Sequence, residues 1–343
     1  MSRPIPLWQR VLQFLYDLGR RPEAVSVLLY LLVAIGGFAI LLQNRLFLRR
    51  STIPKDYTPF AGVGLAQPTP FPSPSPEPTV RPLPPPEVVL SFNAVDQVKL
   101  ATVVGRRWDG RRWYLQKSAD LTAYLSEEFL QRRREIAADT SLYPKKADYD
   151  KLKLAEYRQF IDTRPRIRRA IVGSSIALGI PDEFLGPNDL NLGVPAYRIA
   201  EMTAQVQQLS DSHPPEEIVV FGAATPELLN HGEPQAIFDD ALQLLETIRQ
   251  KYPETRLVFA SVLPRSKEES LTDPRMADVD NQAVRAIDRQ LQEALEGDPE
   301  IEYLDLNPYL ADEAGNLKRE FSTDGLHPNP KAALVLLKLL DRS

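Results

Sequence analysis

The sequence predicts an α/β domain built on a parallel sheet covered on both faces. A membrane-spanning helix and a proline-rich spacer precede it. Three observations carry this reading. From residue 167 onward, short β-rich apolar runs alternate with amphipathic helical stretches. Residues 24–42 form an apolar run without a charge, "AVSVLLYLLVAIGGFAILL". Between the two, "QPTPFPSPSPEPTVRPLPPPE" (67–87) has proline at nearly every second position. Strands buried on both faces read as continuous apolar runs, and helices alternating with them supply the covering layers.

An apolar run of this length suits a helix crossing a hydrocarbon core of about 30 Å. It is longer than a signal-peptide apolar region, and no small-residue cleavage site follows it. Residues 24–43 are therefore expected to be an uncleaved anchor and the chain's contact with the membrane, after a short segment 1–23. Arg3, Arg10, Arg20 and Arg21 precede the run, and Arg45, Arg49, Arg50 and Lys55 follow it. The positive-inside comparison is thus near a tie. Proline fixes φ and lacks an amide donor, so the end of segment 44–87 should be an extended spacer, neither helix nor sheet interior. A stalk of this kind holds a domain away from the bilayer, which favours an extracytoplasmic location.

Residues 88–166 are expected to form a hairpin and helices leading into the main domain. "VVGRRWDGRRWYLQ" places Asp109-Gly110 between polar-aromatic runs, a hairpin signal. Helices are expected near 118–138 and 146–162. Residues 101–170 hold seventeen Lys/Arg against ten Asp/Glu, either a surface for an anionic polymer or headgroup, or a solvated helical face. Trp108 and Trp113 could stack on sugar rings or pack the hairpin.

The domain 167–343 should contain strands at "RIRRAIVG", "DLNLGV", "EEIVVFG", "TRLVFASVLP" and "IEYLDL". Helices are expected at 196–209, 235–250, 278–296 and 330–341. Net charge is only −5 over 343 residues, which gives no footprint for nucleic acid. Cysteine is absent, so disulfides, a Cys nucleophile and thiolate metal sites are excluded.

In open α/β sheets the carboxyl ends of the strands form the binding edge. There the sequence puts Gly173, Ser174 and Ser175 after the first strand and Gly193 after the second. Gly222, Ala224 and Thr225 follow the third, and Asp324 and His327 precede the last helix. A serine hydroxyl needs a base, imidazole suits neutral pH, and a carboxylate can orient the imidazole. Glycines beside the nucleophile let backbone N–H groups approach an oxyanion. A serine in a strand-to-helix turn can also be simply a cap. His213 and His231 read as loop residues, with His231 nearer the binding edge.

This set resembles the SGNH/GDSL hydrolase superfamily. Gly173-Ser174-Ser175 matches the Gly-Asp-Ser block, with Ser175 in the nucleophile position. Gly193 matches the second-block glycine, and Asp324-Gly325-Leu326-His327 matches the last Asp-x-x-His block. The resemblance covers about residues 167–341 and implies a flavodoxin-like three-layer α/β/α fold. It also implies a Ser175-His327-Asp324 triad, an oxyanion bound by the N–H groups of Ser175 and Gly193, and no cofactor or metal. Two positions depart from the pattern. Ser174 stands where the family has Asp, a change also seen in membrane-anchored relatives acting on envelope polymers. Gly222-Ala223-Ala224-Thr225 stands where it has Gly-x-Asn-Asp, so Ala224 replaces an oxyanion donor. Thr225 or Asn230 could substitute. The implied activity is a serine esterase or O-acyltransferase on acylated envelope carbohydrate or lipid. A non-catalytic, glycan-binding or scaffolding member of the fold is the alternative.

Overall fold

The computed structural model describes residues 82–103, 109–268, 270–271 and 279–342. The expected anchor at 24–43, most of the spacer and Trp108 lie outside these residues. Among the described residues no helix is long and apolar enough to cross a membrane.

The spacer ends earlier than its proline content suggests. Pro85 caps a short helix α1 (Pro86–Val89) with proline at its first turn, where the missing N–H costs nothing. The Pro84 carbonyl accepts from Tyr309 Oη at 2.7 Å, so this stretch is docked on the domain. Helix α2 (Ala94–Val103) follows. The hairpin expected at Asp109-Gly110 is a helix, α3 (Gly110–Asp120). Asp109 is its N-cap, with the carboxylate accepting from Arg112 N at 3.0 Å. An Asp-Gly pair serves a turn or a cap equally well, and here the cap wins. Helix α4 (Glu127–Ala138) starts under a Ser126 cap, and α5 (Lys146–Thr163) completes the N-terminal segment.

The main domain then alternates: β1 (Arg169–Gly173), α6 (Ser175–Leu178), β2 (Asp189–Asn191), α7 (Ile199–Gln208), β3 (Glu217–Phe221) and α8 (Thr225–Leu229). It continues with α9 (Pro234–Lys251), β4 (Arg256–Ala260), α10 (Asn281–Leu295), β5 (Ile301–Leu304), α11 (Asn307–Leu310) and α12 (Pro330–Leu340). The five strands are parallel, in the order β2-β1-β3-β4-β5.

Alternate strand residues face opposite layers, as the pleat requires. Val172, Val220 and Phe259 pack with α7, α9 and α10. Ile171, Val219 and Val258 pack with α6, α11 and α12. The result is a three-layer α/β/α domain. Tyr114 of α3, Ile136 of α4 and Leu152 of α5 are buried in the first of these layers. The N-terminal helices therefore share the core of the sheet through one side, while residues such as Glu127, Gln131 and Arg134 keep a solvated face on the other.

Candidate active site

The order of strands decides where the site lies. With β1 flanked by β2 and β3, the residues just after all three emerge side by side at the carboxyl edge. Two glycines make this approach possible. A Cβ on Gly173 would lie 1.8 Å from the Phe221 carbonyl oxygen, and one on Gly193 would lie 2.4 Å from Leu178 N. Both contacts are with backbone, so no side-chain adjustment relieves them.

Ser174 is fully buried and caps α6, accepting from Ile176 N at 3.4 Å. Its own Oγ donates to the Gly222 carbonyl at 2.6 Å, tying the start of α6 to the end of β3. Ser175 is the first residue of α6 and is half-buried. It is not the cap, which leaves its hydroxyl available for another partner.

That partner is His327. Ser175 Oγ lies 2.9 Å from His327 Nε2, and His327 Nδ1 lies 2.7 Å from Asp324 Oδ2. A turn with its own internal bonding holds the acid and the imidazole. Asp324 Oδ1 accepts from Leu326 N and His327 N at 3.0 and 2.8 Å. Ser322 Oγ accepts from Gly325 N and donates to the His327 carbonyl. The loop after β4 braces the same turn, with Ser266 N donating to the Gly325 carbonyl at 2.8 Å. Asn329 then caps α12 through Lys331 N and Ala332 N.

Burial pushes the Asp324 carboxyl up, but hydrogen bonding and charge from His327, with the two backbone N–H groups, outweigh it. The carboxyl is held below its ordinary range. An ionised carboxylate only accepts, so Nδ1 carries the hydrogen and Nε2 presents a lone pair to Ser175. This arrangement can draw the proton from the serine hydroxyl.

The other expected residues divide. Gly193 lies beside α6, but its N–H donates to Asn191 Oδ1 at 2.9 Å, within its own turn. Gly222 contributes its carbonyl to Ser174. Ala224 is buried and left-handed (φ 69°), a conformation that Asn tolerates better than Ala. Thr225 Oγ1 is buried without a hydrogen-bond partner, and Asn230 Nδ2 is committed to the Pro226 carbonyl at 2.6 Å. His213 bonds to Ser212 Oγ ahead of β3, at the opposite edge of the sheet. His231 follows α8 with a left-handed backbone. Trp113 stacks on Tyr149 with ring centroids 6.2 Å apart, a packing role within the helices. Among the described residues no group of three or more His, Cys, Asp or Glu is arranged to hold a metal.

Sequence reasoning passed over Asn191, whose side chain bridges two walls of the site. Its Nδ2 donates to the Ala177 carbonyl at 2.8 Å while its Oδ1 takes the Gly193 N–H. The position two residues before Gly193 was the available signal.

Residues 177–333 match the GDSL-like Lipase/Acylhydrolase family, a span that includes Asp324 and His327 and begins two residues after Ser175. No curated protein matches the sequence. Among solved structures, a Streptococcus pneumonia protein designated a platelet activating factor is 19% identical. The match covers 57% of this chain and 92% of that one, with a TM-score of 0.51, and it shows the shared fold. An acylhydrolase so designated from Bacteroides fragilis is 16% identical over 54% of this chain and 92% of its own, with a TM-score of 0.46. A GDSL-like lipase from Bacteroides thetaiotaomicron is 16% identical over 54% and 95%, with a TM-score of 0.45. Through its α/β domain, the chain is similar to the GDSL-like Lipase/Acylhydrolase family, whose model matches residues 177–333.

Proposed function

We propose that the protein is a serine esterase or O-acyltransferase that works through Ser175, His327 and Asp324 on acyl esters of envelope carbohydrate or lipid. The observation that carries this reading is the continuous chain of contacts from Ser175 Oγ through His327 to Asp324. Ser175 Oγ attacks the acyl carbonyl carbon as its proton passes to His327 Nε2. The carbonyl π pair moves to the oxygen, giving a tetrahedral oxyanion. Collapse expels the alcohol, which takes the proton from His327 and leaves Ser175 acylated. A second acceptor, water or a sugar hydroxyl, repeats the sequence in reverse and frees the serine. Asp324 keeps its charge throughout and stabilises the imidazolium.

The apolar run 24–43 and the proline-rich spacer support a membrane-anchored domain facing the extracytoplasmic side, where acylated polymers and lipids lie within reach. Nothing in the charge balance favours nucleic acid.

A second reading has its own support. Ala224 in place of an amide donor, and a Gly193 N–H spent on Asn191, leave few groups for an oxyanion. A loss of one such donor costs about 100- to 1000-fold in rate. This favours a non-catalytic member that binds glycan or scaffolds an envelope complex. The deciding experiment labels the purified chain with a fluorophosphonate beside Ser175→Ala and follows hydrolysis of aryl acetates. Ser175-dependent labelling and turnover are expected. Absence of both favours the binding reading.

A further inference from the structure

The N-terminal helices meet the site through one buried cation. Lys153, on α5, is 1% exposed. Its Nζ donates to the Asn191 carbonyl at 2.6 Å and to Glu156 Oε2 at 3.0 Å, and sits 4.6 Å from the Trp113 ring centroid. A buried ammonium needs compensation on every side, and here a carboxylate, a carbonyl and a ring face supply it. The carbonyl is the informative partner. Asn191 is the residue whose side chain grips both Gly193 and the Ala177 carbonyl of α6, the helix that begins with Ser175. From Lys153 to the serine-bearing helix there are thus two consecutive short hydrogen bonds, with no solvent-exposed link.

Lys117, on α3, belongs to the same cluster but takes another route. Its Nζ pairs with Glu156 Oε1 at 2.6 Å and with Asp182 Oδ2 at 3.1 Å, in the turn beyond α6. It has no contact with Asn191 among the described hydrogen bonds. The two lysines share Glu156, but only Lys153 reaches Asn191, so comparing them distinguishes support of the helices from support of the site.

We infer that Lys153 is a positioning residue: it acts through Asn191 to hold α6 and the Gly193 turn in register with His327. This rests on the serine-hydrolase reading above. It makes Lys153 of α5, rather than the N-terminal segment as a whole, part of what aims Ser175. The reason is geometric, since displacement of a reacting group by about 1 Å costs on the order of 100-fold in rate.

The test compares the full chain, solubilised in detergent, with Lys153→Met, Lys153→Arg and Lys117→Met. The readouts are the fluorophosphonate labelling rate of Ser175, kcat and KM on an aryl acetate, and Tm. Lys153→Met should lower the labelling rate and kcat about 10- to 100-fold with KM nearly unchanged. Lys153→Arg should recover most of that loss. Lys117→Met should lower Tm while labelling stays within about twofold of the wild type. Wild-type labelling in folded Lys153→Met, or equal slowing in Lys117→Met, overturns the proposal. Should Lys153→Met fail to fold, Asn191→Ala cuts the next link: slow labelling in the folded variant supports the relay, and wild-type labelling overturns it. A wild-type chain that takes no Ser175-dependent label sinks the hydrolase reading and this proposal with it. A labelled wild type with indifferent variants sinks this proposal alone.

Discussion

Ser174 Oγ donates to the Gly222 carbonyl at 2.6 Å, which ties the residue before Ser175 to the end of β3. The hydroxyl is a donor here, and Ser174 is fully buried. Ser174→Asp would restore the family's Gly-Asp-Ser spelling but face a carboxylate toward a carbonyl oxygen, with no hydrogen to share. A buried unsatisfied acceptor costs about 1–3 kcal/mol, and more if charged. Ser174→Asp should therefore lower stability rather than improve the site. Its denaturation midpoint beside that of Ser174→Ala checks this, with the Asp variant expected to be the less stable.

Asp324 does two jobs with two oxygens, and one substitution separates them. Oδ1 holds the turn through Leu326 N and His327 N, while Oδ2 faces His327 Nδ1. Asp324→Asn keeps an acceptor for the turn but turns an NH2 toward the imidazole. The ring must then present Nδ1 as acceptor and Nε2–H toward Ser175, the wrong tautomer for a base. A loss of about 10³- to 10⁴-fold in kcat is expected with Tm little changed. A Tm collapse that matches the activity loss would show the turn, rather than the tautomer, to be the sensitive element.

Much of this site is legible in the sequence because its parts are local. Asp324 and His327 lie three apart in a turn, and Gly173 and Ser175 straddle one strand end, so short-range geometry places them. The five strands and the long helices of the α/β domain follow from periodicity, whereas the single helix expected near 118–138 is two helices, α3 ending at Asp120 and α4 starting under the Ser126 cap. The error at Asp109-Gly110 has a definite cause: Asp-Gly signals a reversal of chain direction as well as a cap, and only the packing of Tyr114 and Leu121 into the core favours the helix. What a linear reading could not reach is long-range. The Lys153–Asn191 bond spans 38 positions, and the commitment of the Gly193 N–H depends on the Asn191 rotamer. The left-handed backbone at Ala224 is equally invisible in an alanine, which by itself argues for helix.

Gly193 is retained for packing in this fold. Its Cβ position lies 2.4 Å from Leu178 N and 2.9 Å from the Ala177 carbonyl carbon, both backbone atoms of α6. Gly193→Ala must therefore push β2 and α6 apart. Overpacking of this kind costs about 1–3 kcal/mol. Because α6 begins with Ser175, the same displacement should slow fluorophosphonate labelling. Chemical denaturation and labelling rate should fall together, and a variant that loses neither would remove the packing argument.

The pH dependence of stability should be set by a carboxyl outside the triad. Asp288, on α10, is buried, and burial pushes it up to about 7 against hydrogen bonds from Val262 N, Tyr303 and Asn307, with Asp305 adding to the rise. Its Oδ1 takes the Val262 N–H at 2.8 Å and its Oδ2 the Asn307 amide at 3.1 Å, so it fastens the ends of β4 and β5. Between the ordinary carboxylate range and about 7, the folded chain holds a proton that the unfolded chain has released. The folded state then binds more protons, and stability falls as pH rises through that window. The contribution is full below the ordinary carboxylate range and is gone once pH exceeds about 7. Three pKa units set a ceiling of about 4 kcal/mol. Glu227, also raised by burial, acts in the same direction, whereas Asp324, lowered, loses its contribution only at more acid pH. Wild-type Tm should therefore drop between pH 5 and pH 8. Asp288→Asn, neutral throughout, should drop less over the same interval. Parallel curves for the two proteins would show that Asp288 is ionised in the folded chain across the whole range.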